Sequence, residues 1–323
     1  MSQESLLRDP LTLTLSPGGR GDKATPNRAQ PMFELTLQAL FSGLLAGGYY
    51  ATVAVGLALV FGTMRVINLA HGELVLLAAY VAYAAESNYG VSPVLAIPVA
   101  LVIVAAASAL VYALLSRIDQ DREINSLILT FGLGIILTNT ILSIWAADIR
   151  STSDPWFQDS MVVADTLFAM NAEVAAFVGG LVLMAGVWWW LNHSWQGRAV
   201  RALSSNRAAA TLMGVNPRKI EILSFMIAAL LATFAGFAIY TGKTVFPALG
   251  HVLTVKAFII TVLAGMGSIP GLLIGAVMIG VIESLTVTYL SASLQELAGM
   301  ILFLVVLFVS PSGLFGGGRA LAR

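Results

Sequence analysis

A stretch of about 20 apolar residues, coiled as a helix, crosses the roughly 30 Å hydrocarbon core of a bilayer. This chain repeats that stretch nearly end to end. The segments are Leu35–Phe61, Val66–Ala84, Pro93–Leu115, Ile124–Ala147, Val174–Leu191, Ile220–Thr241, Val252–Met266, Pro270–Leu290 and Leu294–Val309. Within hydrocarbon every backbone N–H and C=O must find a partner inside the protein, and segments of this length achieve that as helices. The seventh segment is short and interrupted. The expectation is an all-α, polytopic membrane helix bundle of about eight spans, with broken or re-entrant segments where Gly and Pro interrupt the apolar runs.

Composition agrees. The chain is 58% hydrophobic and 11% charged, where a soluble domain carries roughly 25% charged residues. Lys plus Arg and Asp plus Glu number 17 each, so the balance points to no nucleic-acid partner. The absence of cysteine excludes disulfides, thiol catalysis and thiolate metal sites. His71, His193 and His251 are far apart and have no metal-ligand spacing. No nucleophile–base or paired-acid motif appears, nor does the phosphate-binding pattern GxxxxGK[ST]. The reading is a transport component rather than an enzyme, binding no cofactor itself.

Lys and Arg set the orientation. Arg117 and Arg122 flank one loop, Arg198, Arg201, Arg207, Arg218 and Lys219 lie in Ser194–Lys219, and Arg319 and Arg323 end the chain. These belong on the cytoplasmic side. The loop Asp148–Glu173 has one basic residue, Arg150, against Asp148, Asp154, Asp159, Asp165 and Glu173, and belongs outside together with Glu86–Pro93. Residues 1–31 lack any spanning run and read as a disordered tail, either a non-native extension before Met32 or a regulatory segment. Were it native, its four basic residues would have to cross the membrane. The membrane region is then 32–316, followed by a short cytoplasmic tail at 317–323.

Three groups of residues could carry function. Ser194–Lys219 is a cationic, helix-competent insert between apolar blocks. Ser204, Ser205 and Asn206 are good N-caps, Arg207–Met213 is mostly helix-forming, Gly214 is a C-cap signal and Pro217 blocks continuation. It reads as a docking element for a soluble partner; a surface loop held by snorkelling arginines is the alternative. Asn68, His71, Glu73, Lys256 and Glu283 fall in or beside apolar segments, where ionisable side chains are expensive and are functional candidates. They are candidates for a translocation pathway, with a purely structural role as the alternative. Gly72, Gly265, Gly267, Pro270, Gly271 and Gly275 are candidates for hinges or close helix packing, with Ser268 available to cap a new helix.

Four blocks in order give the chain a family resemblance: VINLAHGEL at 66–74, GRAVRALSSNRAAATLMGVNPR at 197–218, KAFIITVLAGMGSIPGL at 256–272 followed by Glu283, and VSPSGLFG at 309–316. The chain resembles the permease subunits of branched-chain amino-acid ABC importers, the LivH type, over about Met32–Gly316. The resemblance implies a second related permease, two cytoplasmic ATPases that bind ATP and magnesium, and an extracytoplasmic substrate-binding protein, all at a bacterial inner membrane. It implies that Arg198, Arg201, Asn206, Arg207, Ala209, Leu212 and Gly214 belong to an ATPase-coupling loop. Permeases for urea, amides and other small solutes share these blocks, so those substrates stay open, as does a stand-alone ion-coupled transporter using Glu73, Lys256 and Glu283. The binding protein is expected to supply most selectivity, because this chain has no dense polar constellation for a zwitterion.

Overall fold

The computed structural model describes residues 29–118, 121–163, 166–265 and 268–315. Twelve helices follow in order among these: α1 Ala29–Met64, α2 His71–Tyr89, α3 Ile97–Leu115, α4 Arg122–Trp145, α5 Pro155–Gln158, α6 Asn171–His193, α7 Trp195–Ser205, α8 Arg207–Leu212, α9 Pro217–Gly242, α10 Leu249–Ala264, α11 Ile269–Tyr289 and α12 Gln295–Val309. Seven of the helical stretches are long and apolar enough to cross a membrane. Shorter or more polar, α2 and α10 complete the bundle. Of the expected tails at 1–31 and 317–323, residues 1–28 and 317–323 lie outside the described residues, while residues 29–31 are helical rather than disordered.

Four details differ from the sequence-based expectation. The first helix begins at Ala29 rather than Met32, with Pro31 in its first turn, where the missing N–H has no intrahelical acceptor to lose. The second helix begins at His71, not Val66. An antiparallel hairpin, β1 Ser160–Val163 with β2 Leu167–Met170, interrupts the all-α pattern in the register Ser160↔Met170. The insert 194–219 contains a second helix, α7, ahead of the expected one. Ser194 caps α7 by accepting from Gly197 N–H, and Gly197, Ala199, Val200 and Leu203 form its buried face. That spacing is helical.

The core is organised around α1, which packs against α6, α9, α10 and α11. Small residues bring these backbones together. A Cβ on Gly43 would stand 2.8 Å from Gly280 O, one on Gly47 2.7 Å from Val277 Cα, and one on Gly280 2.3 Å from Gly43 O. This is the close approach that small residues four apart permit where no hydrophobic force draws helices together.

Contacts sort the two ends of the bundle as the Lys/Arg asymmetry predicts. At one end Gln38 bonds Phe168, Glu86 bonds Ser153, and Arg150 pairs with Val245. At the other, Tyr112 O–H donates to Arg218 O, Arg122 approaches Glu221, and Leu314 N–H donates to Leu263 O. The loops rich in Arg and Lys therefore share one end, the basic end.

The break between α1 and α2 turns back into the bundle. Arg65 ends α1 in the left-handed region, φ 54°, which is uncommon for a residue with a side chain. His71 Nε2 lies 3.1 Å from Val53 O. Val53 precedes Met64 by eleven positions, about 16 Å along a helix axis, so α2 starts well inside the bundle. Several of its backbone groups are satisfied one by one by side chains, as a non-helical segment at this depth requires. Leu69 N–H donates to Thr130 Oγ1, Ala70 N–H to Asn68 Oδ1, and Gly72 N–H to Thr254 Oγ1, whose own hydroxyl donates to Leu69 O.

Candidate functional site

At the basic end α8 stands out from the bundle. Asn206 caps it by accepting from Ala209 N–H, and Gly214, at φ 85°, follows its last turn. Ala210 is buried, whereas Ala208 and Ala209 are exposed. Leu212 and Met213 are 88% and 84% exposed. Apolar side chains this exposed at a helix tip in an otherwise charged loop mark a contact surface. Arg201 donates to Asn192 Oδ1 at 2.7 Å and Arg198 to His193 O at 3.3 Å, pinning α7 to the end of α6.

A residue that the sequence reading passed over lies beneath α8. Glu221, in the first turns of α9, is 1% exposed. Its Oε1 accepts from Arg207 of α8 in a short ion pair and lies 4.0 Å from the Arg122 guanidinium at the start of α4. Tyr112 O–H of α3 is 3.4 Å from Oε2. One buried carboxylate thus joins α3, α4, α8 and α9.

The five intramembrane polar candidates fall into two groups, neither gathered into a large opening. Asn68, His71 and Glu73 are buried at the start of α2. Asn68 and His71 serve the backbone as described, and Glu73 Oε2 is buried without a protein partner. Lys256 and Glu283 meet directly: Nζ is 3.0 Å from both carboxylate oxygens. Tyr50 O–H donates to Glu283 Oε2 at 2.7 Å, Gln295 Nε2 does so at 2.8 Å, and the ammonium lies 4.8 Å from the Tyr50 ring centroid. The pair and its partners tie α1, α10, α11 and the start of α12. A small cavity of about 120 Å³ touches Lys256, Glu283, His251 and Glu296.

The glycine candidates are close-packing positions. A Cβ on Gly72 would stand 2.0 Å from Gly250 O, and one on Gly275 3.0 Å from Leu263 Cδ2. Gly265, at φ 81°, ends α10. Ser268 caps α11 by accepting from Gly271 N–H, with Pro270 in the first turn. Gly267 lies outside the described residues.

A cavity of about 790 Å³ opens at the basic end. Its walls are Val55, Leu59, Phe61, Ile67, Leu127, Val187, Leu191, Val200, Ile269 and Leu272, with Arg65, Glu123, Arg201, Ser204, Ser205 and Thr261 among them. Of the candidate site residues read from sequence, Arg201 is in this lining, beside Ser204 and Ser205, which were read only as helix caps. Arg65 and Glu123 were not read as pathway residues because a charge at the end of an apolar run ordinarily means an interface position.

Twelve helices, with seven stretches long and apolar enough to cross a membrane, make up nearly all of the described architecture, and the chain is a multi-pass membrane protein of the transporter-permease class. The profile of the family described as "Branched-chain amino acid transport system / permease component" matches residues 39–310, and the chain belongs to that family. The LivH permease protein of a high-affinity branched-chain amino acid transport system in Salmonella typhimurium is 30% identical over 294 residues, 87% of this chain and 95% of that one. BraD of Pseudomonas aeruginosa, named for the same kind of system, is 28% identical with the same coverage. The ribose import permease protein RbsC of Escherichia coli is 27% identical over 85% of this chain and 86% of its own. Among solved structures, PsaBC from Streptococcus pneumoniae in complex with Fab matches in fold, with TM-score 0.52 at 13% identity over 88% of this chain and 96% of that one.

Proposed function

We propose that this chain is the membrane subunit of an ATP-driven importer of branched-chain amino acids at a bacterial inner membrane, with its basic end in the cytoplasm. The carrying observation is α8. It is a capped helix with an exposed apolar tip, joined to the bundle by the ion pair of Arg207 with the buried Glu221. Such an element suits a soluble motor, and two cytoplasmic ATPases with ATP and magnesium are the fitting partners. A second related permease and an extracytoplasmic binding protein complete the assembly. Arg198, Arg201, Asn206, Arg207, Ala209, Leu212 and Gly214 shape or present the docking element.

The 790 Å³ cavity is the inner vestibule in this reading. Its walls are mainly aliphatic, with Arg65 and Glu123 available for a carboxylate and an ammonium. That chemistry suits an aliphatic zwitterion better than a sugar, whose hydroxyls call for many convergent hydrogen-bonding groups. Arg65→Gln should lower the maximal uptake rate of leucine while leaving the binding protein's affinity unchanged. Unaltered uptake would remove Arg65 from the passage. The pathway roles assigned to Asn68, His71, Glu73, Lys256 and Glu283 are then indirect: these residues hold the helices that surround the vestibule.

The direct test is at the tip of α8. Leu212→Asp with Met213→Asp replaces an apolar anchor by two charges on residues that support no core. ATPase co-purification and leucine uptake should both fall about tenfold or more, the scale expected for burying unpaired charge at an interface centre. Membrane insertion should remain normal. ATPase association at the wild-type level would overturn the assignment.

A further inference from the structure

Glu221 has two guanidinium groups within reach of a single oxygen. Arg207 reaches Oε1 from α8, and Arg122 waits 4.0 Å from that same oxygen on α4. Among the described residues, the Arg122 Nε is buried without a hydrogen-bond partner. The arginines differ in setting. The Arg207 side chain is 43% exposed and that of Arg122 27%, against 2% for Glu221. The carboxylate is fixed in place on α9, the helix that packs along α1, α2 and α3. Its second oxygen faces the Tyr112 hydroxyl.

A buried carboxylate cannot be left without a partner cheaply. If α8 moves away from the bundle, Arg207 goes with it and Glu221 needs a replacement cation. Arg122 is the cation within reach, with an unused N–H. We infer that Glu221 is a positioning residue with two settings, bound to Arg207 when α8 is seated and to Arg122 when α8 is drawn outward. The inference rests on α8 being the ATPase-coupling element. It gives the movement two discrete end points, which a switching transition requires, and routes displacement of α8 into α4 and α9 without exposing an unpaired charge.

The exchange predicts a specific failure of additivity. In the purified chain, Arg207→Gln and Arg122→Gln should each lower Tm modestly, because the remaining arginine takes over the carboxylate. The double variant leaves Glu221 stranded, and its fall in Tm should be about twice the sum of the single effects or more. Adding Glu221→Gln to the double variant should restore most of the loss, which separates a stranded charge from general damage. Additive melting shifts would overturn the exchange. This measurement needs no ATPase, so its failure is distinct from failure of the docking assignment.

The second arm uses the assembled importer in liposomes. Arg207→Gln should cut leucine transported per ATP hydrolysed by about fivefold or more while ATPase remains bound, and Arg207→Lys should recover much of the ratio. A role confined to stability would lower the yield of complex and leave that ratio unchanged. An unchanged ratio in Arg207→Gln would sink the positioning role.

Discussion

Lys256→Met should be among the most damaging single changes in this chain, costing about 3–5 kcal/mol, because removing one partner strands the other in a buried pair. Glu283 is 2% exposed, and Lys256 is its cationic partner at 3.0 Å. Tyr50 and Gln295 still donate to Oε2 after the change, but neutral donors do not offset a desolvated charge. Lys256→Met combined with Glu283→Leu removes both charges and keeps apolar volume, and should recover most of the loss, as apolar replacement of buried pairs commonly does. Thermal unfolding of the purified protein, read for both singles and the double, measures this. A double variant no better than Lys256→Met alone would mean the pair is held for its hydrogen-bond network rather than for charge balance. Glu283→Gln is the milder companion: the amide oxygen can still accept from Tyr50 or Lys256, but the ammonium of Lys256 is left without a counter-charge.

The apolar segments and the gathering of the basic loops at one end were legible because each rests on local chemistry. Uncharged runs of spanning length have one practical fold in lipid, and basic loops share an end; the non-helical stretch before His71 was not read, because Val66–Ala84 looks like one continuous apolar run. The Ser268 cap and the Asn206 cap were legible for the same reason, since a cap acts over three residues. What depended on distant partners was not. Glu221 looks like the edge of a span until α4 and α8 fold over it. Lys256 is costly within an apolar segment, but sequence could not choose its partner; Glu283 took that place only when α10 and α11 packed with Tyr50 of α1 between them. The helix α7 was overlooked although Ala199, Val200 and Leu203 carry helical spacing, because Gly197 and the arginines made the segment read as loop. Gly197 is small for a packing reason: a Cβ there would stand 2.4 Å from Trp190 O.

The same distinction between local and long-range causes sets opposite signs for one substitution type. Within a helix, Gly→Ala gains up to about 1 kcal/mol from backbone entropy and propensity. At Gly132 and Gly186 nothing stands within 4 Å of the added carbon, so Ala should be neutral or stabilising at both. Gly72 is helical too, in the first turn of α2, yet its added carbon would meet Gly250 O at 2.0 Å, Thr254 Oγ1 at 2.5 Å and Thr254 N at 2.7 Å. Two of these are backbone atoms, so no rotamer change relieves the clash. The start of α2 must separate from α10. That separation breaks the bond from Gly72 N–H to Thr254 Oγ1, and with it the bond from Thr254 to Leu69 O that satisfies the re-entrant segment. Overpacking alone costs about 1–3 kcal/mol, and an unsatisfied backbone group at this depth adds several more. Gly72→Ala should therefore abolish or severely reduce folded protein in the membrane, while Gly132→Ala and Gly186→Ala express at least as well as the parent. Expression and melting of the three variants side by side decide the matter. A Gly72→Ala protein that melts within a degree or two of the parent would show that α2 and α10 are free to part there, and Gly72 would return to consideration as a hinge.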